Sequence, residues 1–342
     1  MPETPPQNGT AQSFVAGSYT NGHGTRDYKL KIPSGYRGQP LPLIVMLHGC
    51  TQDPDDFAAG TRMNEIAEQY DCFVVYPSQP QAANPSRCWN WFEPQHQQRD
   101  AGEPSLIAGI TRQVMKTHRI DPRQVFIAGM SAGGAMAVIM AATYPELYAA
   151  AGVHSGLPYR AAKNVFAALT AMRGGAASAA AAAKRDTSIP IIVFHGDEDS
   201  TVHPRNGEQI VSRSLATAEA DDAAHAADSA GPAAPSVRDC AESAGDSSGR
   251  SYARTVHRDA AGNAVAEHWV VHGAGHAWAG GSQTGSFTDP QGPDASREMV
   301  RFFLRQPRQP RQAVPSSEAD GHFGLTSAAG LGSKSTRRRA VR

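Results

Sequence analysis

Four short runs of apolar, largely β-branched residues, Leu43–Leu47, Phe73–Tyr76, Val125–Ala128 and Ile191–Phe194, show no polar alternation. A strand of that kind is buried on both faces, which is the environment of a parallel sheet covered by helices. Helical patterns lie between the runs. Met63, Ile66, Ala67 and Tyr70 share one face of a turn-and-repeat pattern, and Leu106, Ile107, Ile110 and Val114 share another. Strand alternating with helix predicts an α/β chain with a mostly parallel, doubly wound sheet flanked by helices. The 342 residues suffice for one such core with long loops. No apolar run approaches the roughly 20 residues that span a bilayer. The 32 Lys+Arg balance 32 Asp+Glu, so neither a nucleic acid nor an anionic membrane is an expected partner. Four cysteines without a CxxC pair argue against a zinc ribbon or a disulfide-built miniature. With no phosphate loop and no GxGxxG after a strand, no cofactor is expected.

The ends and two internal stretches differ in composition. Residues 1–17 read as a disordered lead, rich in Pro, Gln and Thr, with no basic and apolar segment typical of a secretory signal. The expected globular domain runs from 18 to 304, and residues 305–342 read as a disordered basic tail ending in Arg337-Arg338-Arg339. Ala176–Ala183 suits a surface helix. Residues 216–249, rich in Ala, Asp, Ser and Gly, suit a low-complexity insertion or mobile loop.

The segment Val125-Phe126-Ile127-Ala128-Gly129-Met130-Ser131-Ala132-Gly133-Gly134 is a buried strand running through GxSxG into a small-residue helix. A serine on such a turn is presented at the carboxyl end of the sheet, and glycines on both sides let neighbouring backbone pass close. The helix start also leaves the Ala132 amide free to donate to a developing oxyanion. A serine hydroxyl is a weak nucleophile and needs a base and an orienting acid, in the chain order Ser, Asp/Glu, His. His276, in the glycine-flanked loop Gly273–Gly281, is the candidate base. The acid comes from His195-Gly196-Asp197-Glu198-Asp199-Ser200-Thr201-Val202. Asp199 is preferred because it resembles the aspartate of the HGxxDxxV pattern common in α/β-hydrolases, and Asp197 is the second candidate. His268 and His272, four apart on a strand-like stretch, would sit more than about 10 Å from each other, so a metal shared between them is not expected.

Leu47-His48-Gly49-Cys50 ends another buried strand, where α/β-hydrolases place the second oxyanion donor, here the Cys50 amide. Cys50 as the nucleophile itself has no base placed for it. Ser86-Arg87-Cys88-Trp89-Asn90-Trp91-Phe92 is dense in aromatics. Trp89 and Trp91, with Trp278, suit either the floor of a substrate cleft or packing beneath a loop. A Cys50–Cys88 disulfide would fix this wall beside the oxyanion site.

Taken in order, HGCTQ, RCWNWF, GMSAGGAM, the His195–Val202 segment and GAGHAWAGG resemble the polyhydroxybutyrate depolymerase family of esterases, related to feruloyl and acetylxylan esterases. The resemblance covers about residues 18–304. It implies an α/β-hydrolase with the triad Ser131, Asp199 and His276 and an oxyanion hole at Cys50 and Ala132. It further implies hydrolysis of carboxylic esters through an acyl-enzyme, on a short-chain hydroxyalkanoate polyester or its oligomers, or on feruloyl or acetyl esters of plant polysaccharide. A non-catalytic binding protein on the same scaffold is the reading from another class. The family is often secreted, whereas no signal is visible here, so the expected compartment is left open. The stretch 216–249 looks expanded relative to the family pattern.

Overall fold

The computed structural model describes residues 14–175, 189–228, 237–243, 249–259 and 261–306, with the backbone alone at 217–228 and 237–243. The expected helix at Ala176–Ala183 and nearly all of the expected tail lie outside these residues.

The chain opens with a hairpin, β1 (Phe14–Asn21) and β2 (Gly24–Lys31), followed by β3 (Leu41–Leu47), α1 (Pro54–Thr61), α2 (Met63–Gln69), β4 (Phe73–Pro77) and α3 (Gly102–Thr117). Then come β5 (Ile120–Met130), α4 (Ala132–Thr143), β6 (Ala150–His154), α5 (Val165–Gly174), β7 (Ile191–Gly196) and α6 (Arg205–Asp228). Strands β8 (Val237–Ser243), β9 (Tyr252–Arg258) and β10 (Ala264–Val271), the short pair β11 (Trp278–Ala279) and β12 (Thr288–Asp289), and α7 (Ala295–Leu304) complete it.

Ten strands form one sheet in the order β1-β2-β4-β3-β5-β6-β7-β10-β9-β8. The six from β4 to β10 are parallel, and an antiparallel pair extends the sheet at each edge. All four apolar runs recognised in the sequence lie in the parallel part. Their side chains alternate between two cores, Leu43, Val45, Val125 and Ile127 on one face and Ile44, Met46, Phe126 and Ala128 on the other. From β3 the chain steps first to β4 and then back past β3 to β5. This reversal leaves a crevice at the carboxyl ends of β3 and β5, the position at which open α/β sheets bind ligands.

Three expectations change. Phe14–Gly17 belong to β1, not to a disordered lead, and Phe14 packs edge-on against Tyr76 with ring centroids 5.6 Å apart. Tyr70 leaves the apolar face: α2 ends at Gln69, and Tyr70 is an exposed cap whose amide bonds to the Ala67 and Glu68 carbonyls. The stretch 216–249 is not simply a loop, because α6 continues to Asp228 and β8 pairs along its length with β9. Alanine is the best helix former, and strand pairing uses backbone groups, so neither element requires the large apolar residues the stretch lacks.

Helix α4 is buried from Ala132 to Ala141, and its close approach to the sheet depends on glycine. A Cβ at Gly129 would meet the Gly133 backbone, and one at Gly133 would fall on the carbonyl oxygens of Leu47 and His48. Because those obstacles are backbone, Gly133→Ala is expected to destabilise the protein by about 2 kcal/mol or more. Thermal unfolding checks this, and an unchanged midpoint would contradict it.

Candidate active site

Ser131 ends β5 with φ 56° and ψ −120°, in the left-handed half of backbone space that residues with a Cβ rarely occupy. The turn is held from both sides: the Ser131 amide donates to the His154 carbonyl at 2.9 Å, and the Ser131 carbonyl accepts from the Ala135 amide at 2.9 Å. The side chain is half-buried at the crevice. The Leu47–Cys50 loop lies directly beside it, since a Cβ on Gly49 would stand 3.6 Å from the Ser131 Cβ.

Asp199 and His276 reach the same edge from β7 and β10, which are hydrogen-bonded neighbours. His276 Nδ1 is 2.7 Å from Asp199 Oδ2. Asp199 is buried, and its other oxygen accepts from the Thr201 and Val202 amides at 2.9 and 2.8 Å. Burial alone would raise this carboxyl, but hydrogen bonds from His195, His276 and the Val202 amide outweigh it and hold the group far below the usual carboxylate range. These bonds favour the Asp199 carboxylate and hold the Nδ1 edge of His276 against it. Asp197, the second candidate acid, contacts His272 instead, Oδ2 to Nδ1 at 2.8 Å.

At the other wall, Cys50 and Cys88 form a disulfide. Its sulfur is thereby unavailable as a nucleophile. The Thr51 amide donates to the Ser86 carbonyl at 2.6 Å, and Thr51 itself has φ 66°. A β-branched residue in that region is strained, and the bridge holds it there. Among the described residues, neither the Cys50 amide nor the Ala132 amide has an acceptor. Two donors free of internal partners, flanking the serine, suit an oxyanion.

The tryptophans are where the structure corrects the sequence. Trp89, Trp91 and Trp278 are 0 %, 5 % and 1 % exposed, so none floors an open cleft. Trp89 lies tilted on His48 at 5.7 Å, and Trp91 meets Phe92 edge-on at 5.6 Å. Trp278 stacks on His154 at 5.1 Å and donates Nε1–H to Ser296 Oγ at 3.1 Å. Large apolar rings gain more from complete burial than from partial exposure, and all three are wedged behind the loops that carry the site. His268 and His272 do not act together either: His268 is largely buried on β10, while His272 is at the surface with Asp197.

Sequence reasoning missed a buried polar network beneath the Cys50–Cys88 wall. Glu103, fully buried, accepts from Gln79 Nε2 at 2.5 Å, the Asn90 amide at 2.8 Å and Asn90 Nδ2 at 2.7 Å. Gln79 also donates Nε2–H to the Cys88 carbonyl at 2.9 Å and accepts from Arg26 Nε at 2.9 Å. Its amide donates to His48 Nε2 at 3.1 Å, which leaves the proton on Nδ1 for the Gly49 carbonyl at 2.8 Å. The signal was present: Glu103 falls on the same helix face as Leu106, Ile107 and Ile110, an acid within an apolar stripe. His154 was missed as well. It accepts from the Ala279 amide at 3.0 Å and lies within the field of His195, His276 and Asp199, so it joins the serine turn to the loop that carries His276.

The known proteins most informative beside this geometry are esterases. The family described as "Esterase PHB depolymerase" matches residues 26–238. Poly(3-hydroxyalkanoate) depolymerase C of Paucimonas lemoignei is 30% identical over 255 residues, covering 72% of this chain and 56% of that protein. Feruloyl esterase B of Neurospora crassa is 34% identical over 129 residues, 37% of this chain and 43% of that protein. The chain thus spans about half the length of the curated relatives it matches. Among solved structures, acetyl xylan esterase from Aspergillus awamori superposes with a TM-score of 0.60 at 20% identity, covering 85% of this chain and 99% of that one. That likeness shows the α/β-hydrolase fold.

Burial lowers three histidines, His48, His154 and His268, and makes the fold sensitive to acid. Burial pushes His48 down to about 4 and His154 down to about 3, against about 6.5 in an unfolded chain. Between those values the unfolded chain takes up protons that the folded protein refuses, so stability is complete above about pH 7 and is lost as pH falls toward 4. For His48 alone the loss is on the order of 3 kcal/mol. Carboxylates held low begin to contribute only below about pH 5.5. Urea unfolding at pH 7.0 and 5.5 reads the histidines with little carboxylate contribution, and equal midpoints would contradict their burial as neutral groups.

Proposed function

The chain belongs to the Esterase PHB depolymerase family, and from that premise we propose that it is a serine esterase with Ser131 as nucleophile, His276 as general base and Asp199 as the orienting acid. The observation that carries the reading is the 2.7 Å contact of His276 Nδ1 with a buried, ionised Asp199 at the same sheet edge as the strained Ser131 turn. Ser131 Oγ attacks the ester carbonyl as His276 Nε2 takes its proton, and the Cys50 and Ala132 amides hold the oxyanion. Collapse of the tetrahedral intermediate breaks the carbon–oxygen bond, and the alcohol leaves with the proton from His276. Water, deprotonated by His276, then releases the acid and frees Ser131. The imidazolium that forms in both steps is stabilised by the Asp199 charge.

The substrate that fits best is a short-chain polyhydroxyalkanoate or its oligomers. Support comes from the Paucimonas lemoignei depolymerase, which is 30% identical over 72% of this chain. An acetyl or feruloyl ester of plant polysaccharide is the second reading, favoured by the extent of the likeness to the Aspergillus awamori acetyl xylan esterase. The Cys50–Cys88 disulfide supports an oxidising, extracellular setting.

Purified protein is expected to hydrolyse p-nitrophenyl butyrate, and Ser131→Ala to lose at least about 10³-fold in kcat. Asp199→Asn is expected to lose about 10⁴-fold with KM little changed, because the imidazole tautomer is no longer set. Full activity in either variant would contradict the assignment. Clearing of a poly-3-hydroxybutyrate suspension against ferulate release from methyl ferulate distinguishes the substrates.

A further inference from the structure

The loop that carries His276 begins with little rigidity of its own. It leaves β10 through His272-Gly273-Ala274-Gly275, Gly273 has φ +68°, and no atom packs within 4 Å of where a Gly275 Cβ would stand. Downstream of His276 the loop is firmly anchored: Trp278 is buried, its amide donates to the Phe287 carbonyl at 2.7 Å, and the Ala279 amide donates to His154. Upstream, the His272 amide donates to the Ser251 carbonyl at 2.9 Å and Ala274 is buried, and the acid loop supplies the remaining bonds. The Asp197 amide donates to the Val271 carbonyl at 3.1 Å and the Glu198 amide to the Ala274 carbonyl at 3.1 Å. The Asp197 carboxylate then closes the joint with both oxygens, Oδ1 accepting from the Gly273 amide at 2.7 Å and Oδ2 meeting His272 Nδ1 at 2.8 Å.

We propose that Asp197 is a positioning residue for the reaction: by capping the Gly273 amide it fixes the upstream end of the His276 loop to the strand that delivers Asp199, so that acid and base are held in register by a second carboxylate two residues from the first. The inference rests on Ser131, His276 and Asp199 acting as proposed above. Asp197 touches neither the serine nor His276, and its side chain lies at the surface. Its carboxylate thus acts on geometry. A surface aspartate without that task would matter to neither stability nor rate, whereas a base displaced by a fraction of an ångström costs rate specifically. Its two bonds are separable. The Gly273 bond needs only an acceptor oxygen, which asparagine retains; the His272 contact draws on the carboxylate charge.

The test is steady-state hydrolysis of p-nitrophenyl butyrate by the wild type, Asp197→Ala, Asp197→Asn, His272→Ala and Ser131→Ala. Asp197→Ala is expected to lower kcat about tenfold or more with KM within about twofold, while Asp197→Asn recovers most of the rate and His272→Ala stays within about threefold of wild type. The downfield proton resonance of His276 Nδ1–H is expected to broaden by exchange in Asp197→Ala and to persist in Asp197→Asn. Should Asp197→Ala unfold at the assay temperature, the comparison is run below its unfolding midpoint with the same expectation. The proposal is overturned if Ser131→Ala is inactive while Asp197→Ala keeps wild-type kcat, if only KM moves, or if Asp197→Asn is as slow as Asp197→Ala. An active Ser131→Ala would instead overturn the triad itself.

Discussion

The backbone of Ser131 is held where a side-chain-bearing residue costs about 1–3 kcal/mol to keep, and the carboxyl edge of the sheet is built so that it cannot relax. Gly129 and Gly133 meet with no room for a Cβ on either, which pins the strand end to the helix start. The His154 carbonyl takes the serine amide, and the His154 ring takes the amide of Ala279 across the crevice. Strain at one residue is thus supported by three separate strands. Relaxing it would require moving the sheet.

Two rigid walls follow from that constraint. One presents donors: the Cys50–Cys88 bridge and the Glu103–Gln79–His48 network hold the Leu47–Cys50 loop beside Ser131 with the Cys50 amide unpaired. A buried acid such as Glu103 is acceptable there because the Asn90 and Gln79 donors satisfy both oxygens and Arg26 lies 3.7 Å away. The other wall carries His276: Asp199 beyond β7 and the loop after β10 are tied by side-chain bonds at Asp199 and Asp197. Preorganisation of this kind places dipoles before charge develops, which is where such sites gain most of their rate.

What the sequence made legible was local. A buried strand entering GxSxG and a small-residue helix carries its own turn geometry, so Ser131 and the free Ala132 amide could be read without a partner in view. Asp199 and His276 each followed a buried or strand-like run, and sheet order brought them to one edge. Contacts between distant segments were not legible. The Ala279–His154 bond joins residues 125 apart, and Gln79 meets Glu103 across 24. The tryptophans illustrate the same limit, since a ring that could line a cleft is chemically the ring that fills a core, and only the packing of Phe57, His154 and Ser296 decides it for Trp278. Alanine-rich composition misled at α6 because scarcity of large apolar groups speaks to burial and says little about helix formation.

The central claim is that one serine, activated through this geometry, forms the covalent intermediate. Intact-mass and peptide mapping after brief exposure to a fluorophosphonate tests it most directly. One adduct per chain, located on Ser131 and formed far more slowly when Asp199 is replaced by asparagine, is the result the account predicts. An adduct on any other residue, or none under conditions in which ester is turned over, would contradict it.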